Sequence, residues 1–87
     1  MTTYNVVLAR SARRELEAFE GPIVSLFISK LDSLSNNPYQ RGAKKIRGTE
    51  RSSWRTRVGD CRIIYEIKSA ETMVDVVAIR HRSEAYR

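Results

Sequence analysis

Ser53-Trp54-Arg55-Thr56-Arg57-Val58-Gly59-Asp60-Cys61-Arg62-Ile63-Ile64-Tyr65-Glu66-Ile67 is the stretch that decides the fold. It reads as two strands around a turn. Trp54, Thr56 and Val58 alternate with Arg55 and Arg57, so one parity suits packing and the other carries charge. Gly59-Asp60 suits the turn, because glycine tolerates positive φ and aspartate bonds locally to backbone. Beyond it Cys61, Ile63, Tyr65 and Ile67 share a parity, while Arg62 falls on the other with Ile64, Glu66 and Lys68. A sheet in suitable register gathers Arg55, Arg57 and Arg62 on one surface.

Working outward, the N-terminal side is helical. Tyr4–Leu8 reads as a first strand, and Ser11 is suited to cap the helix after it. Ala12, Leu16 and Phe19 recur at helical spacing. Gly21 is expected to end this helix and Pro22 to open the next. Ile23, Phe27, Leu31 and Leu34 form a second stripe, widened by Leu26, and Pro38 stops that helix. Lys44–Arg47 is expected to begin a short strand. Thr49–Ser52 reads as a loop, Ser69–Glu71 as a turn and Met73–Ile79 as the last long strand. In that last run Arg80 shares a parity with Val74, Val76 and Ala78, so it is expected to emerge at the end of a buried row. The order is strand, helix, helix, then three or four strands. Short turns between the C-terminal strands favour antiparallel neighbours.

Eighty-seven residues suit one domain with a thin core, which favours reliance on a partner. The formal net charge of +6 favours an anionic partner such as nucleic acid, and most of the excess lies between Lys45 and Arg62. No apolar run is long enough to span a membrane, no secretory segment opens the chain, and the lone Cys61 excludes an internal disulfide. Cytoplasmic residence is the simplest expectation.

No cofactor is called for: there is no Walker A motif and no dinucleotide fingerprint. One histidine and one cysteine fall short of a structural zinc set. A Cys–His nucleophilic pair requires the fold to join Cys61 to His81, and Cys61 reads better as a small buried hydrophobe. The chemical candidates are Arg55, Arg57, Arg62, Arg80, His81, Arg82 and Tyr86. Arginines bind phosphate oxygens bidentately and stabilise the charge of a phosphoryl transition state. On RNA the neighbouring 2′-OH is an internal nucleophile, so the protein only has to align it. Tyr86 is a candidate proton donor and His81 a group able to titrate near neutrality, although a structural hydrogen bond explains His81 as well. Lys44, Lys45, Arg47 and Arg51 add basic surroundings for RNA, and Trp54 suits either base stacking or a packed rim.

Asn37-Pro38, Lys45-Ile46-Arg47-Gly48, the stretch from Trp54 to Ile67 and the ending Ile79-Arg80-His81-Arg82-Ser83-Glu84-Ala85-Tyr86-Arg87 together resemble the RelE/ParE superfamily of type II toxins, more its RelE branch. The resemblance covers nearly the whole chain. It implies an α+β fold: a compact, antiparallel-rich sheet packed against an N-terminal two-helix hairpin, in one domain over 1–87. It further implies a ribosome-dependent endoribonuclease that cuts mRNA in the 30S A site, and a hetero-oligomer with a cognate antitoxin that neutralises it. Arg55 and Arg57 fall where the best-known RelE-like pattern has lysines, and Arg62 on an arginine expected at the scissile phosphate. Arg80 aligns with a further catalytic arginine, Tyr86 with the C-terminal tyrosine tied to activity, and His81 with a histidine of less settled role. Arginine is a poorer proton donor or acceptor than lysine, so positioning is kept while acid–base efficiency changes. The competing functions are a ParE-like gyrase poison and a non-catalytic basic binding module.

Overall fold

In a computed structural model, which describes residues 3–46 and 53–81, a five-stranded sheet is covered on one face by two helices. The elements are β1 (Asn5–Leu8), α1 (Arg10–Glu17), α2 (Pro22–Asn36), β2 (Lys44–Lys45), β3 (Ser53–Val58), β4 (Cys61–Lys68), a 3₁₀ turn (Ser69–Glu71) and β5 (Met73–His81). Arg47–Ser52 lie outside the described residues, so the extension of β2 to Arg47 and the loop expected at 49–52 are not described.

The strand order is β1-β5-β4-β3-β2. β2, β3, β4 and β5 are antiparallel neighbours, as their short connections predict. β1 pairs parallel with β5, setting Asn5 beside Met73 and Leu8 beside Val76. The crossover between these two strands contains the rest of the chain, so no local pattern announces the pairing.

The β3–β4 turn forms where Gly59-Asp60 predicts it. Gly59 has φ 58°, and no positive φ occurs at Asp60, the pattern of a two-residue type II′ connection. Val58 then faces Cys61, and the alternation runs true: Thr56, Val58, Cys61, Ile63, Tyr65 and Ile67 are all buried. Val74, Val76 and Ile79 of β5 complete the sheet's side of the core, with Ala12 of α1 and Phe27 and Leu34 of α2 packed upon it. The Phe19 and Phe27 rings meet at 5.0 Å, tying the connector after α1 to α2.

Both helices differ from expectation at their ends. α1 begins at Arg10 rather than after a Ser11 cap, and its N-cap Ala9 makes no side-chain bond. Ser11 instead donates to the Val77 carbonyl (3.2 Å). α1 stops at Glu17, and Gly21 does not close it: with φ 78° it is the N-cap of α2, with Pro22 in the first turn. Leu26 does not widen the packed stripe of α2; it is 52% exposed. At the other end Asn37 is extended, as the residue before Pro38 must be, and its Oδ1 accepts from the Tyr39 amide. Tyr65 reaches under this connector and donates to the Pro38 carbonyl at 2.8 Å. Its ring is fully buried, and desolvation pushes the phenol up to about 12.

A β-bulge interrupts β5. Tyr65 faces Val76 and Ile64 faces Ala78, so Val77 has no partner on β4. The carbonyls on the bulge turn to the start of α1: Ala9 N–H bonds Val76 (2.9 Å) and the Ser11 hydroxyl bonds Val77. The inserted residue breaks the parity read from the sequence. Val74 and Val76 face the helices, but beyond the bulge Ile79 takes that role, and Ala78 and Arg80 sit with Ile64 and Arg62 on the opposite face.

Candidate active site

The face away from the helices carries the charge. Residues paired across an antiparallel ladder point to the same side. Arg57 is opposite Arg62, and Arg62 is opposite Arg80, so three arginines stand abreast on β3, β4 and β5. Two strand spacings of about 4.8 Å separate the outer members. A second cross-strand row follows, in which Lys44 faces Arg55 and Arg55 faces Ile64. The correction at Arg80 matters here: without the bulge, its sequence parity would place it among the core valines.

An open cleft of about 520 Å³ lies against these rows, lined by Lys30, Gly42, Lys44, Arg55, Thr56, Arg57 and Arg62. Five of the seven are cationic and none is acidic. Farther along the same face the charge reverses, for Glu66 lies opposite Asp75, and Lys68 pairs with Asp75 at 3.7 Å. The surface is thus polarised, basic at the β3–β4 turn end and acidic at the other. Such an array binds a compact polyanion at one end and repels it from the other. The guanidinium groups supply bidentate donors to phosphate oxygens.

Arg55, Arg57, Arg62 and Arg80 are therefore brought together. Lys44 joins them from β2, and Lys45, whose backbone pairs with Trp54, lines a neighbouring cleft of about 590 Å³ with Lys44, Ile46, Arg55, Arg62 and Ile64. Trp54 does not join the arginine surface. It packs against the core with its ring edge-to-face on Tyr39 (5.4 Å, 83°), and the Tyr39 hydroxyl bonds Ser69. That is the packed-rim placement, with the ring half-buried. The backbone of His81 lies opposite Cys61, so the fold does bring these positions together. Cys61, however, is 3% exposed and part of the core, as a small hydrophobe would be. Arg47, Arg51, Arg82 and Tyr86, together with the side chain of His81, lie outside the described residues. Lys30, which no motif marks, enters the cleft from α2. The signal for it was an isolated lysine on a helix with no acid three or four residues away.

No helix among the described residues is long and apolar enough to cross a membrane. The family model for the ParE toxin of the type II toxin–antitoxin system, parDE, matches residues 6–86. Toxin RelE of Mycobacterium tuberculosis is 29% identical over 85 residues, covering 97% of this chain and 87% of that protein. The toxin–antitoxin complex RelBE2 of Mycobacterium tuberculosis contains a chain with TM-score 0.80 and 27% identity, with 92% of this chain and 99% of that one covered. The archaeal RelE–RelB complex of Pyrococcus horikoshii has a chain with the same fold, at TM-score 0.82 and 24% identity over 94% of this chain and 97% of that one. With a family match over nearly its whole length, on the architecture described above, this chain belongs to the RelE/ParE superfamily of type II toxin–antitoxin toxins, closely related to the RelE toxins.

Proposed function

We propose that this protein is a ribosome-dependent endoribonuclease that cleaves mRNA in the 30S A site through attack of the RNA's own 2′-OH, inhibiting translation. The observation that carries this reading is the cross-strand row Arg57–Arg62–Arg80, with no acid among the described residues that line the cleft beside it. In this reading Arg62, the middle member, holds the scissile phosphate. Arg57 and Arg80 flank it and Arg55 stands behind, offsetting the extra charge of the pentacoordinate transition state. The 2′-oxygen forms a bond to phosphorus as the bond to the 5′-oxygen breaks, leaving a cyclic phosphate and a 5′-hydroxyl. Tyr86 supplies the proton that the leaving oxygen takes up, and the proton released by the 2′-OH passes to water or to His81. Lys44, Lys45, Arg47, Arg51 and Arg82 hold the RNA backbone without reading sequence.

The ribosome supplies alignment that the chain lacks, so naked RNA is cut poorly. A cognate antitoxin, as in the relatives solved with RelB, covers or displaces the Arg80–Arg87 ending or wraps the helical pair, and forms a hetero-oligomer with the toxin. The decisive experiment is single-turnover cleavage of A-site mRNA by wild type and Arg62→Ala, with ribosome binding measured in parallel. Cleavage lost with binding kept supports the reading, and no cleavage by ribosome-bound wild type ends it. The ParE description of the matching family model favours a second reading, inhibition of DNA gyrase. A supercoiling assay with purified gyrase decides between the two.

A further inference from the structure

We propose that Lys30 on α2 forms a phosphate subsite continuous with the arginine face, so that a bound RNA strand turns around the open edge of β3 into the groove beside α2. The inference rests on the nuclease reading and extends it to the path of the substrate. β2 is two residues long and pairs only with Trp54 and Arg55. Beyond Arg55, the second half of β3 has no strand on that side among the described residues. Val58 and Cys61 flank a two-residue turn, which makes them a hydrogen-bonded pair. The backbone of Arg57 therefore points away from β4, toward the open edge.

Two clefts meet at that edge. The larger holds the cations already named. The second, of about 340 Å³, runs between α2 and the β3–β4 turn and includes Ser29, Lys30, Ser33, Arg57 and Gly59. Lys30 and Arg57 line both, so the basic surface is continuous from the sheet's outer face to the helix. Gly42 borders the larger cleft, and a Cβ there would meet nothing within 4 Å, which leaves the passage open. Lys30 itself is half-buried. Its helical neighbours at three and four residues are Leu26, Phe27, Ser33 and Leu34, none of them acidic. Among the described residues it makes no ion pair. A half-buried lysine with no anionic partner among the described residues, at the mouth of an arginine-lined cleft, fits a second phosphate of the strand whose first phosphate sits at Arg62.

The test uses a fluorescent, uncleavable 2′-O-methyl RNA decamer, with affinity measured across potassium chloride concentration for wild type, Lys30→Gln, Lys30→Arg and Arg57→Gln. One phosphate contact on a single strand contributes about 0.7 to the log–log salt slope. Lys30→Gln is expected to lower the slope by about 0.7 and the affinity by roughly 3- to 10-fold near 0.1 M salt. Lys30→Arg is expected to keep both. An unchanged melting curve for Lys30→Gln separates this from misfolding. A wild-type slope in Lys30→Gln together with a reduced slope in Arg57→Gln overturns the α2 subsite and leaves the arginine face intact. No slope change in either variant, or no binding by wild type, overturns both. If Lys30→Gln spares RNA binding but weakens a glutamate-rich decapeptide, the ligand of Lys30 is a protein carboxylate and the phosphate assignment is wrong.

Discussion

Arg62 lies directly opposite Arg80 on adjacent strands, two like charges on one face of the sheet with a third, Arg57, on the other side of Arg62. Like charges directly opposite each other destabilise a sheet by about 0.2–1 kcal/mol per pair. Replacing the middle member should therefore strengthen the fold while weakening the chemistry. Arg62→Gln is expected to raise the thermal midpoint, by up to several degrees for a chain of this size. Its single-turnover cleavage should fall about 10²- to 10³-fold, the cost of losing one transition-state donor. A variant less stable than wild type would contradict the repulsion.

The same repulsion makes the protein a sensor of anions. A ligand that binds only the folded state stabilises it by about 1.4 kcal/mol at ten times its dissociation constant. Inorganic tripolyphosphate should raise the wild-type melting temperature by several degrees. The triple variant Arg57→Gln/Arg62→Gln/Arg80→Gln should show little response. An equal rise in both proteins would place the anion elsewhere.

Tyr65 offers a test of the scaffold alone. Its hydroxyl donates to Pro38 from a fully buried position, with the phenol held up to about 12 against 10 when unfolded. The folded state therefore keeps the proton longer than the unfolded one. This contribution is complete below pH 10 and is lost as pH rises toward 12. Tyr65→Phe is expected to cost about 1 kcal/mol at neutral pH and to flatten the stability loss across that alkaline range. Urea unfolding at several pH values measures both.

Gly59→Ala tests the turn. The backbone there has φ 58°, and an added Cβ would lie 3.3 Å from Ile23 Cδ1 of α2. A loss of about 1–3 kcal/mol is expected from holding a non-glycine residue at positive φ. It should appear as a lower urea midpoint with an unchanged m-value.

Much of this architecture was legible because the central stretch agrees with itself at every level. Turn chemistry, alternation and charge all place Val58 opposite Cys61 and Arg57 opposite Arg62. What escaped was non-local or masked by uniform chemistry. The run from Val74 to Ile79 is apolar at every position but Asp75, so period-two patterning had no contrast with which to reveal an extra residue at Val77. The placement of Arg80 was missed for that reason. Trp54 was ambiguous because its type serves base stacking and packing equally, and its contact with the Tyr39 ring comes from a segment 15 residues away. Ser11 looked like a cap because caps are local, whereas its hydroxyl bonds a carbonyl 66 residues away. Lys30 belonged to no pattern, since its neighbours in the cleft come from three other segments.

Tyr86→Phe separates proton donation from stacking. If the hydroxyl protonates the leaving oxygen, single-turnover cleavage should drop by about 10²-fold or more while ribosome affinity holds. Activity kept in Tyr86→Phe but lost in Tyr86→Ala would assign the ring to packing.

The parallel pairing of β1 with β5 also orders events in time. During synthesis β1 emerges before the other described elements, and β5, its strand neighbour among the described residues, emerges after them. Until β5 is available, β1 has no ladder to join, and the helices lack the valines they pack upon. The bulge that sets Arg80 in its row is held by Ala9 and Ser11, at the far end of the same closure. The last strand thus completes the hydrophobic core and the arginine row in one step. A nascent or truncated chain lacking β5 would have neither.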